Sequence, residues 1–452
     1  MLRPKRNMLD GPLLPSIIQY TIPIILTSVL QLLFNAADMV VVGRYCGSIS
    51  VAAVGATGSL TALIINLFIG LSVGTGVTVA HAIGARENEN LSKTVHTTIP
   101  AAVICGIILT VVGILFSEDL LELMDTPDNV LLLSSLYMKI YFGGIIFTML
   151  YNFCASILRA AGDTKSPLVA LSISGVLNVL LNLLFVIVFH MNVAGVALAT
   201  VISQALSAVL VMIALMRRTD ACRLVLKRIR IHLPQLAKIV QIGLPAGINS
   251  SLFAISNVII QSSVNAFGDV LMSGNAAAAN IEGFVYVAIN AFAQTSINFI
   301  GQNKGARQYN RVIRTLFICL GCVTVVGIGA GLITYSFAPT LLSLYITDSP
   351  EAISYGIIRM TWICLPYFVC GLMDSTTGAL RGLGASVTPM FISVLGVCGI
   401  RIGWIYTVFS LPQFHTPEGL YISYPISWVI TFIIEFIVFF FIFRRQVKSL
   451  KS

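Results

Sequence analysis

Apolar runs of twenty residues or more follow one another along the whole chain, and no soluble core could bury them all. Such a run is the unit that crosses a bilayer, because a helix rises about 1.5 Å per residue across a hydrocarbon core of about 30 Å. Twelve runs are legible, approximately 14–42, 51–80, 95–116, 131–155, 167–189, 194–216, 235–265, 276–300, 313–338, 352–378, 388–410 and 420–443. Only 10% of the 452 residues are charged and the mean hydropathy is +0.93, whereas soluble domains carry about 25% charged residues. The expectation is an all-α integral membrane protein of twelve transmembrane helices, with little chain left for a soluble domain.

The basic start, MLRPKRNMLDG, superficially resembles a signal peptide. The apolar run behind it is too long for a signal core and has no small-residue cleavage site, so it is expected to stay as the first membrane helix. The nine cysteines follow neither a disulfide nor a metal-site spacing, and most fall inside the runs, where they read as small packing residues.

A net charge of +9 raises the question of nucleic acid, and the placement of the charges answers it. Arg3, Lys5, Arg6, Arg86, Lys93, Arg159, Lys165, the basic stretch from Arg217 to Lys238, Lys304, Arg307, Arg311, Arg314, Arg381, Arg444, Arg445, Lys448 and Lys451 all fall on one side of a twelve-span drawing. The other side holds Arg44 and the acids Glu118, Asp119, Glu122, Asp125, Asp128, Asp269, Asp348, Glu351 and Glu418. By the positive-inside rule this places both termini in the cytoplasm of a multi-pass cell-membrane protein. The basic balance is topology, and no nucleic-acid partner is expected.

The chain also repeats itself at an offset of about 222 residues. QYTIP (19–23) recurs as QIGLP (241–245), Gly84-Ala85-Arg86 as Gly305-Ala306-Arg307, and Arg159, Gly162 and Pro167 as Arg381, Gly384 and Pro389. Each repeat holds six spans, an even number, so the two are parallel repeats, which places a central site between lobes. The expected division is a lobe over 1–216, a linker over 217–234, a second lobe over 235–443 and a tail over 444–452. Pro23 and Pro245 are expected to kink spans one and seven. In the Gly-Ala-Arg and Leu-Arg-Xaa-Xaa-Gly turns, glycine is expected to end the helices while arginine anchors to phosphates. This is the organisation of a secondary transporter working by alternating access.

Ionisable residues inside a bilayer are costly and mark function by default. Besides histidine, seven fall within spans: Asp38, Lys139, Glu282, Arg359, Asp374, Arg401 and Glu435. Matching their depths pairs Glu282 with Arg401. Asp374 and Glu435 lie nearer the inner face, within reach of Arg381 or the tail, while Lys139 and Arg359 are expected to snorkel outward. Glu282, Arg401 and Asp374 are the candidates for a substrate cavity.

Asp38 differs, because its lobe offers only Lys139 at comparable depth. Desolvation favours the neutral form of an unpaired acid, so a proton gradient could load and unload it. Asn35 stands one turn earlier, Asn178 and Asn182 are i, i+4 neighbours on span five, and Thr200 on span six could complete a polar cluster. Such a set can hydrogen-bond the protonated acid and rearrange when it ionises. The five histidines have no metal spacing and there is no glycine-rich phosphate loop, so no cofactor is expected beyond a coupling ion.

These residues resemble the multidrug and toxic compound extrusion (MATE) family over essentially the whole chain. FNAADMVVVG in span one, GARENENLSK, ILRAAGDTKSPL, LNVLLN, FIGQNKGAR and ALRGLG carry the likeness in order. The resemblance implies two six-helix lobes in a V, exporting small organic cations, driven by entry of protons or sodium; a monomer is expected. Its DinF-like branch uses a first-helix aspartate with polar partners on helices five and six, a pattern that maps onto Asp38, Asn178, Asn182 and, more loosely, Thr200. Archaeal members often have an acid where this chain has Asn182, which makes a sodium site there less secure. The NorM-like branch places an acid early in helix seven, and AGINSSLFAISNVIIQ has none. Proton coupling is therefore expected before sodium. Two alternatives stay open: a lipid-linked precursor flippase of the same superfamily, and a polytopic membrane acyltransferase. The flippase would favour a cationic cavity, and the acyltransferase needs a surface His/Asp pair that is not evident. The reading is a transporter and not an enzyme.

Overall fold

The computed structural model describes residues 8–124, 126–346 and 349–448, and among them the chain is helical with no strand. Of the charges placed above, Arg3, Lys5, Arg6, Asp125, Asp348 and Lys451 lie outside the described residues. Seventeen α-helices follow in order: α1 (Leu13–Tyr45), α2 (Ser48–Gly84), α3 (Asn88–Glu122), α4 (Asp128–Gly143), α5 (Ile145–Ala160), α6 (Lys165–Leu183), α7 (Asn192–Met216), α8 (Leu233–Asn265), α9 (Asp269–Gly305), α10 (Tyr309–Ser336), α11 (Ala338–Ser343), α12 (Pro350–Ile363), α13 (Tyr367–Gly382), α14 (Val387–Ser393), α15 (Ile400–Tyr406), α16 (Pro417–Tyr421) and α17 (Ser423–Lys448). Ten continuous runs are long and apolar enough to cross a membrane, and two bent pairs bring the number to twelve when each pair is one span.

Those bends fall where the repeat says they should. The fourth expected span, 131–155, breaks between α4 and α5 by 48°, and the tenth, 352–378, breaks between α12 and α13 by 45°. The breaks centre on Gly144 and Pro366, which are one repeat offset apart. At Gly144 a methyl group would lie 2.3 Å from Val201 Cγ1, so only glycine permits the contact. At Pro366 the missing N–H does the same work by removing a helical hydrogen bond. The turns echo one another as well. Arg86 and Arg307 both have φ of 57°, and Gly162 and Gly384 have φ of 85° and 78°. In the Gly-Ala-Arg turns, then, the left-handed residue that closes the helix is arginine, where glycine was expected. Gly84 and Gly305 are the last helical residues instead.

The chain divides into two compact units, one of Ile22–Ser251 and one of Met8–Thr21 with Leu252 onward. Both joins fall inside helices, α1 and α8, whereas the sequence divided the lobes at the 217–234 linker. Local packing explains the difference. In the second unit, Thr21 Oγ1 lies 2.8 Å from Thr295 Oγ1 and Tyr20 meets Phe299 edge-on at 5.3 Å. In the first, the backbones of α2 and α8 touch through Gly70, Gly74, Gly243 and Gly247, where any Cβ would strike backbone atoms, the close approach that small residues four apart allow. The linker folds onto the first unit, with Cys222 and Leu224 in its core. Each unit keeps a lipid-compatible exterior: Ile107, Val111 and Leu115 line one face of α3 and are exposed, as are Val325 and Ile333 on α10.

Candidate functional site

In the first unit, α1 and α6 meet at Gly175, whose missing side chain makes room for the Phe34 ring. A Cβ there would lie 1.8 Å from the ring. One turn beyond Phe34 comes Asp38. One and two turns beyond Gly175 come Asn178 and Asn182, both buried. Close helix approach at a glycine thus brings an acid and two amides to one level. Asn182 Nδ2 donates to Asp38 Oδ1 at 2.5 Å and lies 3.3 Å from Asn178 Oδ1, and Asn178 Nδ2 donates to Thr200 Oγ1 on α7 at 3.4 Å. Thr200 hands its own hydrogen to the Val196 carbonyl at 3.0 Å, so the chain of donors ends on backbone. Immediately after Asn182 the helix widens into a π segment, Leu184–Val188, a departure that frequently marks functional positions.

The structure thus joins Asp38, Asn178, Asn182 and Thr200 and leaves Asn35 out, exposed and bonded to none of them. No lysine or arginine forms an ion pair with Asp38 among the described residues. Lys139 instead reaches Glu118 at 3.1 Å, both ends exposed. One neighbour escaped the sequence reading. Tyr137 of α4 lies close enough to Asp38 to feel its charge and stacks on Tyr141 at 6.2 Å. Its spacing from Asp38 in the chain gives no sign of this, because α4 is reached only through the fold. A second feature also needs coordinates: Asn182 Oδ1 is buried and has no hydrogen-bond partner among the described residues.

The second unit arranges its charges otherwise, and the expected Glu282–Arg401 pair does not form. Glu282 is bound by Arg359, whose Nη2 contacts Oε1 and whose Nε donates to Oε2 at 3.2 Å. Arg359 Nη1 also donates to Asn275 Oδ1 at 2.6 Å, which accepts from the Tyr421 hydroxyl at 2.9 Å. Arg359 is therefore locked inside instead of snorkelling outward. Arg401 sits 4.1 Å over the Tyr424 ring and 5.6 Å from the Trp428 ring, with Nε donating to Ser427 Oγ at 3.0 Å. Position along a helix does not fix the direction a side chain faces, and it is Arg359 that is turned toward the acid.

Asp374 accepts from Asn290 Nδ2 at 3.4 Å and is half-buried. It shares one stripe of α13 with Thr377 and Arg381. Glu435, fully buried, accepts from Thr377 Oγ1 at 2.8 and 2.7 Å and from Ser393 Oγ at 2.8 Å. Arg381 interacts electrostatically with both acids, yet no ion pair within 4.0 Å joins it to either among the described residues.

A twelve-span helical scaffold built from two repeats, with acids held inside its membrane-spanning helices in each unit, defines a polytopic membrane transporter. Comparison with known proteins agrees. The MatE family model matches twice, over residues 23–184 and 245–407, and the chain belongs to the MATE family. Members of this family are transporters and not enzymes. Among its relatives, the probable multidrug resistance protein YoeA of Bacillus subtilis is 28% identical over 90% of this chain and 89% of that one. The multidrug export protein MepA of Staphylococcus aureus is 21% identical over 84% of this chain and 81% of that one. The fold matches the outward-facing structure of a multidrug resistance MATE family transporter with a TM-score of 0.90 at 21% identity, covering 100% of this chain and 99% of that one.

Proposed function

We propose that the chain exports small organic cations across the cell membrane in exchange for protons, as a monomer with both termini in the cytoplasm, by alternating access of its two repeats. The family membership and the names of the relatives support export of drug-like compounds. The observation that carries the coupling is the first-unit cluster of Asp38, Asn182, Asn178 and Thr200.

Its chemistry suits a proton better than sodium. Ionised, the carboxylate accepts the Asn182 amide N–H; sodium would need oxygens there, as hard cations do, and the group aimed at the acid is a donor. Once protonated, the acid becomes an O–H donor and needs an acceptor. Asn182 Oδ1, buried and without a partner, becomes that acceptor when the amide turns about its last torsion. One amide thus serves both protonation states of the acid, and turning it also releases the 3.3 Å contact of Nδ2 with Asn178 Oδ1, so that the change spreads to the next residue of the cluster. Rearrangement of this cluster is the element that biases the transport cycle.

The test is efflux from everted vesicles under imposed proton or sodium gradients across a panel of cationic dyes. A proton gradient alone should drive export. Export that runs on sodium alone, with the proton gradient collapsed, defeats the proton reading and leaves the family assignment standing.

A further inference from the structure

Outside the spans, the first unit holds a cavity of about 620 Å³ where α3 and α8 begin. Its walls come from three elements: Glu89, Lys93 and His96 from α3, Lys227 and Arg228 on the 3-10 turn Leu226–Arg228, and Arg230 and His232 just before α8. Four cations face one acid. Lys93 is paired with Glu89 at 2.5 Å, and among the described residues Lys227, Arg228 and Arg230 form no ion pair.

The linker that carries these cations is fastened in place. Val225 N donates to His96 Nε2 at 3.1 Å, and His96 Nδ1 donates to the Ser92 carbonyl at 2.7 Å. The His232 amide meets Thr97 Oγ1 at 3.1 Å, and Gln235 Nε2 donates to Asn90 Oδ1 at 3.2 Å. Arg230 Nε donates to His232 Nε2 at 3.0 Å, which requires a neutral imidazole at that nitrogen. The positive field is unquenched: the His232 imidazole is held below its ordinary value by burial and by the Arg230 and Lys93 charges. Along the linker, exposed apolar residues are interleaved with the cations. Leu226, Ile231 and Leu233 are 56%, 42% and 72% exposed. Two spans start here, so the cavity stands at the level of the lipid headgroups.

We infer that this basic cavity binds the phosphate headgroup of an anionic phospholipid from the adjoining leaflet, with Arg228 and Arg230 on the phosphate and the exposed leucines and isoleucine against the acyl boundary. Arginine suits a phosphate through its planar fork of donors, and each basic residue at a lipid surface contributes about 1 kcal/mol. Neutralising Arg230 and Lys93 relieves the repulsion at His232, so binding takes up a proton. The charged groups that set this balance are Glu89, Lys93, Lys227, Arg228 and Arg230, with His96 engaged in hydrogen bonds to Val225 and Ser92 and Lys238 further along α8.

The experiment titrates the detergent-purified full chain with phosphatidylglycerol, phosphatidylcholine or inorganic phosphate and reads retained lipid by native mass spectrometry. Phosphatidylglycerol should be retained and phosphatidylcholine should not. Arg228→Gln with Arg230→Gln should weaken retention roughly 30-fold, from about fivefold per charge. Glu89→Gln should strengthen it, a gain that misfolding cannot produce. Retention should rise from about pH 8 to about pH 6, across the imidazole range, and His232→Gln should flatten that rise. Equal retention of both lipids, indifference to the double substitution, or inorganic phosphate binding as tightly as phosphatidylglycerol would each overturn the inference.

Discussion

In the first unit Asp38 is met by the Asn182 amide, with Asn178 and the Thr200 hydroxyl beside it, whereas in the second unit Glu282 is met by the guanidinium of Arg359. Both acids lie within membrane spans, and both are satisfied. The partners decide what each can do. A buried ion pair must stay paired, since neutralising either member strands the other at high cost. An acid beside an amide can gain a proton and keep a hydrogen-bond partner, because an amide carries both a donor and an acceptor. On the proposed reading the Asp38 cluster is arranged to change charge while the Glu282–Arg359 pair stays paired. Asp374 and Glu435 of the second unit, met by neutral groups, stand outside this contrast.

The sharpest way to break this contrast is to remove the titrating group. Asp38→Asn should bring proton-driven dye efflux down to the level of vesicles without the protein, while the purified variant melts at or above the wild-type temperature, because a half-buried carboxyl has been replaced by an amide. Wild-type efflux from this variant removes Asp38 from the coupling scheme. Arg359→Met tests the opposite side. It strands Glu282 and should cost about 3–5 kcal/mol of stability, read as a large fall in melting temperature. Adding Glu282→Leu should restore most of that loss, since an apolar pair of similar volume can replace a buried ion pair. A stable Arg359→Met protein that cannot transport would show that the second unit works in coupling too, and the contrast would fail.

Within the first unit the cluster should grade in importance with distance from the acid. Asn182→Ala deletes a hydrogen bond to a charged group, worth about 1.5–3 kcal/mol, and should slow proton-driven efflux about tenfold or more. Thr200→Val, one link further out, should slow it only a few-fold. Equal effects from both would mean that the amide at Asn182 has no special part.

Much of this was legible in the sequence because the bilayer forces it. Twelve apolar runs leave one fold class, and Asn178 and Asn182 share a face by spacing alone. What escaped depends on rotation and on neighbours distant in sequence. Depth along a helix can be counted from a loop, but the direction a residue faces cannot, and so Glu282 was matched to Arg401 when Arg359 was the arginine turned toward it. Tyr137 and the hydroxyls of Thr377 and Ser393 were missed for the same reason. The arginines at φ of 57° in the Gly-Ala-Arg turns were missed differently. The motif shows a glycine, the usual left-handed residue, and nothing local says that it ends the helix one step too early to take that role.

The smallest expected effect concerns the paired breaks at Gly144 and Pro366, where the two units reach one bend by different chemistry. Gly144→Ala puts a methyl group 2.3 Å from Val201 Cγ1. Valine is stiff at its first torsion, so α5 or α7 must shift, at about 1–3 kcal/mol. Pro366→Ala demands no new space. Its φ of −83° is open to alanine, and the change mainly loosens the unfolded chain, at about 0.4–1 kcal/mol. Melting temperatures of the two variants rank the mechanisms. If Pro366→Ala proves the more damaging, the bend in the second unit is held by the proline ring and not by the packing around it. The two repeats would then differ in their bends as they do in their acids.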